Sequence, residues 1–445
     1  MGRLFGTDGV RGVANLDLTP EMAFYLGRTG SGLLGQGSER PRFVVGRDTR
    51  LSGPLLESAL ISGILSTGAG VFRAGVMTTP GVAYLTRELG ASGGVVVSAS
   101  HNPFQYNGIK FFGPTGEKIP ESWEAAIERS ILSGHDTYPR PTASSIGRDV
   151  SLGDAVERYA GFLMGTGVSL SGLTVAVDCA NGAASRISPV VFQGLGARVI
   201  PLASDPDGSN INMECGSLHP KCLARAVVEH GAHLGIALDG DADRAIVVDE
   251  GGRVLDGDYI LAIIGLDRME KGNLAGNSLV ATVMSNVGLD IAFRRAGGRV
   301  VRSQVGDRCV LEEMRNTKAV LGGEQSGHVI FLEHLPTGDG ILTAVQLAQV
   351  MKESGLPLSE LAKVMVKVPQ EVRNVLVTKK EDVATSPGVL AAVGEAASTL
   401  GDTGRVLVRP SGTEPVVRIM VEAECPALVK GLTDMLEEVI RAELG

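Results

Sequence analysis

One unit recurs along this chain and restricts what it can fold into. It consists of a short β-branched run, a polar turn, an amphipathic stretch, glycines and a second apolar run. Phe43-Val-Val-Gly-Arg-Asp reads as a buried strand leaving into a loop, Leu55 to Leu65 as a helix, and Val71-Phe72 as the next strand. Thr174-Val-Ala-Val-Asp leads in the same way to Phe192-Gln-Gly-Leu-Gly-Ala-Arg-Val-Ile, and Leu279-Val-Ala-Thr-Val to Phe293-Arg-Arg-Ala-Gly-Gly-Arg-Val-Val. Successive strand–helix–strand units imply parallel sheets covered by helices. Three copies of varied spacing predict three similar α/β domains with mixed, mostly parallel sheets. Beyond about residue 366 the pattern changes. Val406-Leu-Val, a polar loop and Val416-Val-Arg-Ile-Met-Val read as an antiparallel hairpin, and Ala427 to Leu444 as an amphipathic helix, so a smaller α+β domain is expected there. The Pro-rich polar stretch from His135 to Ser145 reads as a linker and Asp249-Glu-Gly-Gly-Arg as a turn. The expected domains are therefore 1–150, 151–252, 253–365 and 366–445.

Composition excludes several classes. The 445 residues are 44% apolar and 20% charged, which suits a globular chain rather than a disordered one. Glycine is abundant at 60 residues, without a G-X-Y period, and fits tight turns and close backbone approaches. A net charge of −9, no Lys/Arg run and only 4% aromatics argue against nucleic acid as a partner. The five cysteines are scattered and never C-x-x-C, so neither a zinc site nor a disulfide framework is expected, and they read as reduced thiols. The polar N-terminus has no signal-peptide pattern and no uncharged run is long enough to span a bilayer. A cytoplasmic location without membrane contact is the expectation.

Four polar islands interrupt the apolar pattern. In Val95-Val-Val-Ser-Ala-Ser-His-Asn-Pro-Phe, an apolar strand runs into a turn that Asn102-Pro103 keeps from becoming helix. Active sites of open α/β sheets lie at carboxyl ends of strands. That leaves Ser98 or Ser100 as a nucleophile, His101 beside it and Lys110 downstream, or an ordinary Ser/Asn turn. Asp239, Asp241 and Asp243 place three carboxylates within Asp-Gly-Asp-Ala-Asp-Arg. Such charges repel unless a hard divalent cation gathers them, and Mg²⁺ is the cation expected. An EF-hand is disfavoured, because Arg244 stands where that loop needs glycine and both flanks are strand-like. In Leu321-Gly-Gly-Glu-Gln-Ser-Gly-His, glycines expose backbone around Glu324, Ser326 and His328. A carboxylate plus a hydroxyl suits a hydroxyl-rich ligand, although alone the stretch reads better as a plain Gly-rich turn. In Arg409-Pro-Ser-Gly-Thr-Glu-Pro-Val-Val-Arg, the donors of Ser411, Gly412 and Thr413 and the guanidiniums of Arg409 and Arg418 offer the set a phosphate wants, the alternative being a hairpin loop with solvated arginines. Arg11, in Phe5-Gly-Thr-Asp-Gly-Val-Arg-Gly, is a further candidate for an anion. No P-loop or His-Glu-x-x-His is present, and no Gly-x-Gly-x-x-Gly follows a strand with a helix behind it.

In this order the islands resemble the α-D-phosphohexomutase superfamily over essentially the whole chain. Ser98-Ala-Ser-His-Asn-Pro-Phe, Val305-Gly-Asp-Arg, Ala242 and Gln325 are similar to its glucosamine-phosphate branch rather than to its phosphomannomutase/phosphoglucomutase branch. The resemblance implies four domains around a central cleft. It also implies interconversion of glucosamine 6-phosphate and glucosamine 1-phosphate through a phosphoserine and a 1,6-bisphosphate, upstream of UDP-N-acetylglucosamine. Carried over by motif, Ser100 is the phosphorylated serine, and Asp239, Asp241, Asp243 and a Ser100 phosphate oxygen hold one Mg²⁺. His101 and Lys110 are the proton-transfer or phosphate-stabilising groups, with Arg11 and Arg244 near the reacting phosphoryl. Glu324 and Ser326 take sugar hydroxyls, with His328 in the same loop, and Arg409, Ser411, Gly412, Thr413 and Arg418 clamp the other phosphate. Glucosamine or glucose 1,6-bisphosphate as activator and a homodimer are compatible with the resemblance. Asp307, in Val305-Gly-Asp-Arg, is a candidate for reading the 2-amino group.

Overall fold

Runs buried at every residue, Gly93–Val97, Leu234–Leu238 and Ser278–Thr282, mark strands covered on both faces. The structure is a computed structural model describing residues 4–6, 8–134, 136–411 and 415–445. The chain divides into two units, Met1–Val283 with Val301–Ala362, and Met284–Val300 with Lys363–Gly445. No helix among the described residues is long and apolar enough to cross a membrane.

The first sheet contains β1 (Val10–Val13), β2 (Arg42–Arg47), β3 (Gly70–Val76), β4 (Gly93–Val97), β5 (Tyr106–Phe112) and β6 (Asp149–Ser151), in the order β1-β5-β4-β2-β3-β6. The second contains β7 (Thr174–Asp178), β8 (Arg198–Leu202), β9 (Leu234–Leu238), β10 (Ala245–Asp249) and β11 (Val254–Leu255), in the order β11-β10-β9-β7-β8. The third contains β12 (Ser278–Thr282), β13 (Arg299–Ser303), β14 (Leu321–Gly323) and β15 (Val329–Phe331), in the order β13-β12-β14-β15. Within each lies one arrangement: β3-β2-β4-β5, β8-β7-β9-β10 and β13-β12-β14-β15. The pairs β2/β4, β7/β9 and β12/β14 are parallel, and β5, β10 and β15 return antiparallel. The three repeats expected from the sequence supply the first two strands of each arrangement.

The helices are set by local signals. Gly53–Leu65, between β2 and β3, carries proline in its first turn, a position that needs no amide donor. Thr79–Glu88 is capped by Thr78, whose Oγ1 accepts the Gly81 N–H at 3.0 Å. Two pairings cross the limits expected from composition: β6 adds to β3 across residue 150, and β11 adds to β10 past residue 252.

In the second unit β16 (Gln370–Leu376), β17 (Arg405–Pro410) and β18 (Val416–Glu422) form an antiparallel sheet in the order β16-β18-β17. Val417, Ile419 and Val421 of β18 are buried with Val389 of the helix Pro387–Leu400 and Leu436 and Ile440 of the helix Pro426–Leu444. The expected hairpin and terminal helix are present. The edge strand β16 was not expected, because Glu371, Arg373 and Asn374 break its apolar pattern. The molecule thus has three α/β domains and a C-terminal α+β domain.

Candidate active site

The three return strands place three polar loops at equivalent points, each at the carboxyl end of a strand with parallel partners. The segment 98–105 joins β4 to β5, Asp239–Arg244 joins β9 to β10, and 324–328 joins β14 to β15. Direct contacts knit them together. The Ala245 N–H donates to the Gly327 carbonyl at 3.0 Å and the Gly340 N–H to that of Ala242 at 2.9 Å. The Thr79 N–H donates to the Asp241 carbonyl at 3.0 Å.

Ser100 meets the second loop: its Oγ donates to Asp239 Oδ2 at 2.6 Å and lies 3.3 Å from His101 Nδ1. Ser98 Oγ instead donates to Asp48 Oδ2 at 2.6 Å and accepts the Ser100 N–H at 3.0 Å. Of the two serines the residues alone left open, only Ser100 has its hydroxyl on an aspartate of the second loop.

Asp239, Asp241 and Asp243 are buried and bring one oxygen each within 4.8 Å of one another. Burial, then the charges of Asp243 and Asp241, push the Asp239 carboxyl well above the usual range. Asp241 Oδ2 accepts from Thr79 Oγ1 at 2.7 Å and Lys110 Nζ at 2.8 Å. Asp241 Oδ1 and Asp243 Oδ1 are buried without a hydrogen-bond partner among the described residues. Convergent hard oxygens with two lone acceptors fit a hard divalent cation such as Mg²⁺.

Lys110 is 1% exposed, and burial opposes its charge, yet Asp241 at 2.8 Å and Asp8 at 2.9 Å raise its proton affinity above the usual lysine range. Burial likewise disfavours a charged Asp8, but Lys110, Lys118 and Arg11 hold it well below the usual carboxylate range. Arg11 and Lys118 both pair with Asp8, and Lys118 Nζ also lies 2.5 Å from Asp307 Oδ2. His101 differs: burial first, then Arg244 and Arg11, lower its proton affinity, so its ring stays neutral.

A cavity of about 660 Å³ opens here, walled by Arg11, His101, Asp243, Arg244, Asp307 and Glu324, among others. Glu324 Oε1 accepts the Gly306 N–H at 3.1 Å, and Ser326 Oγ donates to Glu324 Oε2 at 3.4 Å. His328 also lines it, with Nδ1 3.5 Å from Asp243 Oδ2. Burial resists its protonation while Asp243 favours it. The Gly338 N–H donates to Nε2 at 3.1 Å and occupies that lone pair, so the ring is held as the Nδ1–H tautomer.

The residues expected to clamp a phosphate belong to the second unit. Arg409 on β17 stands directly opposite Arg418 on β18. Ser411 closes the hairpin by donating its N–H to the Val416 carbonyl at 2.9 Å, and its own carbonyl accepts from Lys380 Nζ at 2.9 Å. Gly412 and Thr413 lie outside the described residues. Sequence reasoning passed over Asp8, Asp48, Arg50, Thr79 and Lys118. Single charged or hydroxyl residues outside a polar island carry no signal of their own, although Asp48 and Arg50 close the first strand's polar exit, Arg47-Asp-Thr-Arg.

Comparison with known proteins adds independent evidence. The chain matches the phosphoglucomutase/phosphomannomutase family in all its parts: alpha/beta/alpha domain I over residues 2–137, domain II over 157–252, domain III over 256–368 and the C-terminal domain over 373–439. A phosphoglucosamine mutase of Desulforudis audaxviator is 53% identical over 99% of this chain and 98% of its own. One from Moorella thermoacetica is 55% identical over 95% of each. The crystal structure of a phosphoglucomutase/phosphomannomutase family protein from Burkholderia thailandensis superposes with a TM-score of 0.84 at 25% identity, covering 99% of this chain and 97% of that one. The chain therefore belongs to the phosphoglucomutase/phosphomannomutase family of α-D-phosphohexomutases, alongside the bacterial phosphoglucosamine mutases.

Proposed function

We propose that this chain interconverts glucosamine 6-phosphate and glucosamine 1-phosphate, with Ser100 as phosphoryl carrier. The observation that carries this reading is the 2.6 Å contact of Ser100 Oγ with Asp239, inside a buried carboxylate triad beside a cavity wide enough for a phosphosugar. Phosphoserine 100 gives its phosphoryl to the free sugar hydroxyl. The resulting 1,6-bisphosphate turns over, and Ser100 takes back the other phosphoryl. Transfer of this kind passes through a loose, charge-rich transition state, so catalysis consists mainly of positioning and neutralisation. Mg²⁺ held by Asp239, Asp241, Asp243 and the Ser100 phosphate would supply Lewis-acid neutralisation of the phosphoryl oxygens.

This chain's own residues do the rest. Lys110, locked in its charged form by two carboxylates, adds fixed positive charge and is unsuited to accept a proton. The proton leaving the sugar hydroxyl is the one the Ser100 oxygen regains. His101, with a neutral ring 3.3 Å from that oxygen, is the group placed to carry it. Arg11 and Arg244 line the cavity and meet the reacting phosphoryl, while Glu324 and Ser326 grip sugar hydroxyls. Arg409, Ser411, Gly412, Thr413 and Arg418 hold the phosphate that is not reacting, and must accept either one because the two exchange roles. This reading includes a cytoplasmic enzyme feeding UDP-N-acetylglucosamine synthesis, primed by a hexose 1,6-bisphosphate.

The test is product identity together with the state of Ser100. Purified protein given glucosamine 6-phosphate is expected to form the 1-phosphate faster than it isomerises glucose 6-phosphate, and to carry one phosphate by intact mass. Ser100→Ala is expected to lose that phosphate and all turnover while keeping its fold. Near-normal turnover in Ser100→Ala overturns the carrier assignment. Faster turnover of glucose or mannose phosphates overturns the substrate, and release of inorganic phosphate without isomerised sugar overturns the mutase reading.

A further inference from the structure

The segment ahead of the helix Gly53–Leu65 holds a charged pair that none of the steps above uses. Asp48 and Arg50 are both 0% exposed. A charge so far from water persists only where its polar atoms are satisfied. Arg50 Nε donates to Asp48 Oδ2 at 2.8 Å. Its Nη2 donates to the carbonyls of Ser100 at 2.8 Å and Asn102 at 2.9 Å. Its Nη1 donates to those of Pro103 and, at 3.1 Å, Tyr106. All the remaining guanidinium bonds therefore go to the main chain of the loop that carries Ser100 and of the first residue of β5 after it.

Asp48 acts on the same loop from the other side. It accepts from Ser98 Oγ, which in turn accepts the Ser100 N–H. Both main-chain groups of Ser100 are thus held, the N–H through Ser98 and the carbonyl by Arg50, with Asn212 Nδ2 adding a second bond to that carbonyl at 2.9 Å. Ser100 has a φ of +51°, a left-handed conformation that residues with a Cβ rarely adopt. Such a backbone lasts only where its surroundings over-determine it. The pair is itself anchored: Thr49 Oγ1 donates to the Asn181 carbonyl at 2.6 Å, and the Leu51 N–H to that of Gly208 at 2.9 Å.

We infer that Arg50, oriented by Asp48, is the positioning residue that fixes the left-handed backbone of Ser100 and so aims Oγ at Asp239. This rests on Ser100 being the phosphoryl carrier. Lysine cannot replace it, because a single ammonium lacks the planar fork that reaches several carbonyls at once. Arg50 lines none of the sugar- or phosphate-binding groups named above, so its loss acts on transfer and leaves binding alone.

Arg50→Lys and Ser98→Ala, made in the full chain and assayed with Mg²⁺ and glucosamine 6-phosphate, test this. Arg50→Lys is expected to lower kcat on the order of 100-fold, as a small misplacement of a reacting group does, with KM within about twofold. Ser98→Ala, which leaves the ion pair in place, is expected to shift the same two constants in the same direction by less. Both are expected to move the phosphorus NMR resonance of phosphoserine 100, which a merely structural role leaves unmoved. A kcat within about twofold of the parent in both variants, with that resonance unchanged, overturns the inference. If Arg50→Lys does not fold, the kcat and resonance of Ser98→Ala decide alone. A parent protein that turns over with Ser100 unphosphorylated removes the carrier reading first, and this inference with it.

Discussion

His101 and Lys110 sit by the same carboxylates and are driven in opposite directions. Lys110 lies against Asp241 and Asp8 and keeps its proton. His101 is half-buried, and after burial the largest influences on it are the guanidiniums of Arg244 and Arg11, which repel a proton. A base with a lowered proton affinity stays competent as the pH falls below its ordinary value. The acid limb of kcat/KM is therefore expected below 6.5, the unperturbed imidazole value, since that limb reports the free enzyme. Arg11→Gln removes one repelling charge, so the limb is expected to move upward toward 6.5 whatever happens to the plateau. A pH–rate series on parent and variant checks both statements. A limb that moves down in Arg11→Gln excludes His101 as the proton carrier.

At the scale of elements, the active loops depend on backbone contact as much as on side chains. Gly327 has a φ of +91°, and a Cβ there would stand 2.1 Å from the Ala245 carbonyl oxygen at the end of the metal loop. Gly327→Ala is expected to cost ~1–3 kcal/mol and to slow turnover by pushing the 324–328 loop off the Asp239–Arg244 loop. Gly161, inside the helix Ala155–Gly165, has open space around its missing side chain. The same substitution there is expected to stabilise by ~0.5–1 kcal/mol with activity unchanged. Thermal melts of the two variants separate these outcomes, and a neutral Gly327→Ala would mean that the loops are not pressed together. This contrast also shows what the sequence could express. The polar islands were legible because each interrupts an apolar run at a strand end, and the triplet of aspartates because like charges need a reason to gather. The sequence marks Gly327 as a turn glycine of a polar island, but not that its missing side chain faces another loop's backbone. Thr79 finds Asp241 only across 162 positions, and Ser98 finds Asp48 across 50. Such partners emerge when parallel strands bring distant loops to one edge, a long-range consequence that no spacing rule contains. The edge strand β16 escaped for the opposite reason, since only Val375 of its seven residues is fully buried and its charges mask the alternation.

Over the whole molecule, one strand arrangement is used three times, and each copy contributes a loop at the same point: one with Ser100, one with the three aspartates, one with Glu324 and Ser326. The second unit is built otherwise. Its antiparallel sheet buries Val417, Ile419 and Val421 against helices, so that Arg418 alternates to the other face, where register sets it opposite Arg409. Guanidiniums on neighbouring strands are the donors that meet a phosphate dianion with bidentate, charge-assisted bonds. The mutase cycle makes a further demand on this site. Glucosamine 6-phosphate and glucosamine 1-phosphate present their phosphates from opposite ends of the sugar, and the reaction runs both ways, so one clamp must take either. Arg418→Ala is therefore expected to weaken binding of both isomers alike, by about 1.5–3 kcal/mol for lost charge-assisted bonds, or roughly 10- to 150-fold in Kd. Phosphorylation of Ser100 by a hexose 1,6-bisphosphate should saturate only at higher concentration but reach the same extent. Calorimetric titration of the Ser100→Ala, Arg418→Ala double variant against each isomer, with Ser100→Ala alone as reference, prevents turnover during the measurement. An unaltered Kd takes Arg418 out of the clamp, whereas a loss confined to one isomer means that the two phosphates are held by different groups, and reorientation over a single shared clamp no longer describes the cycle.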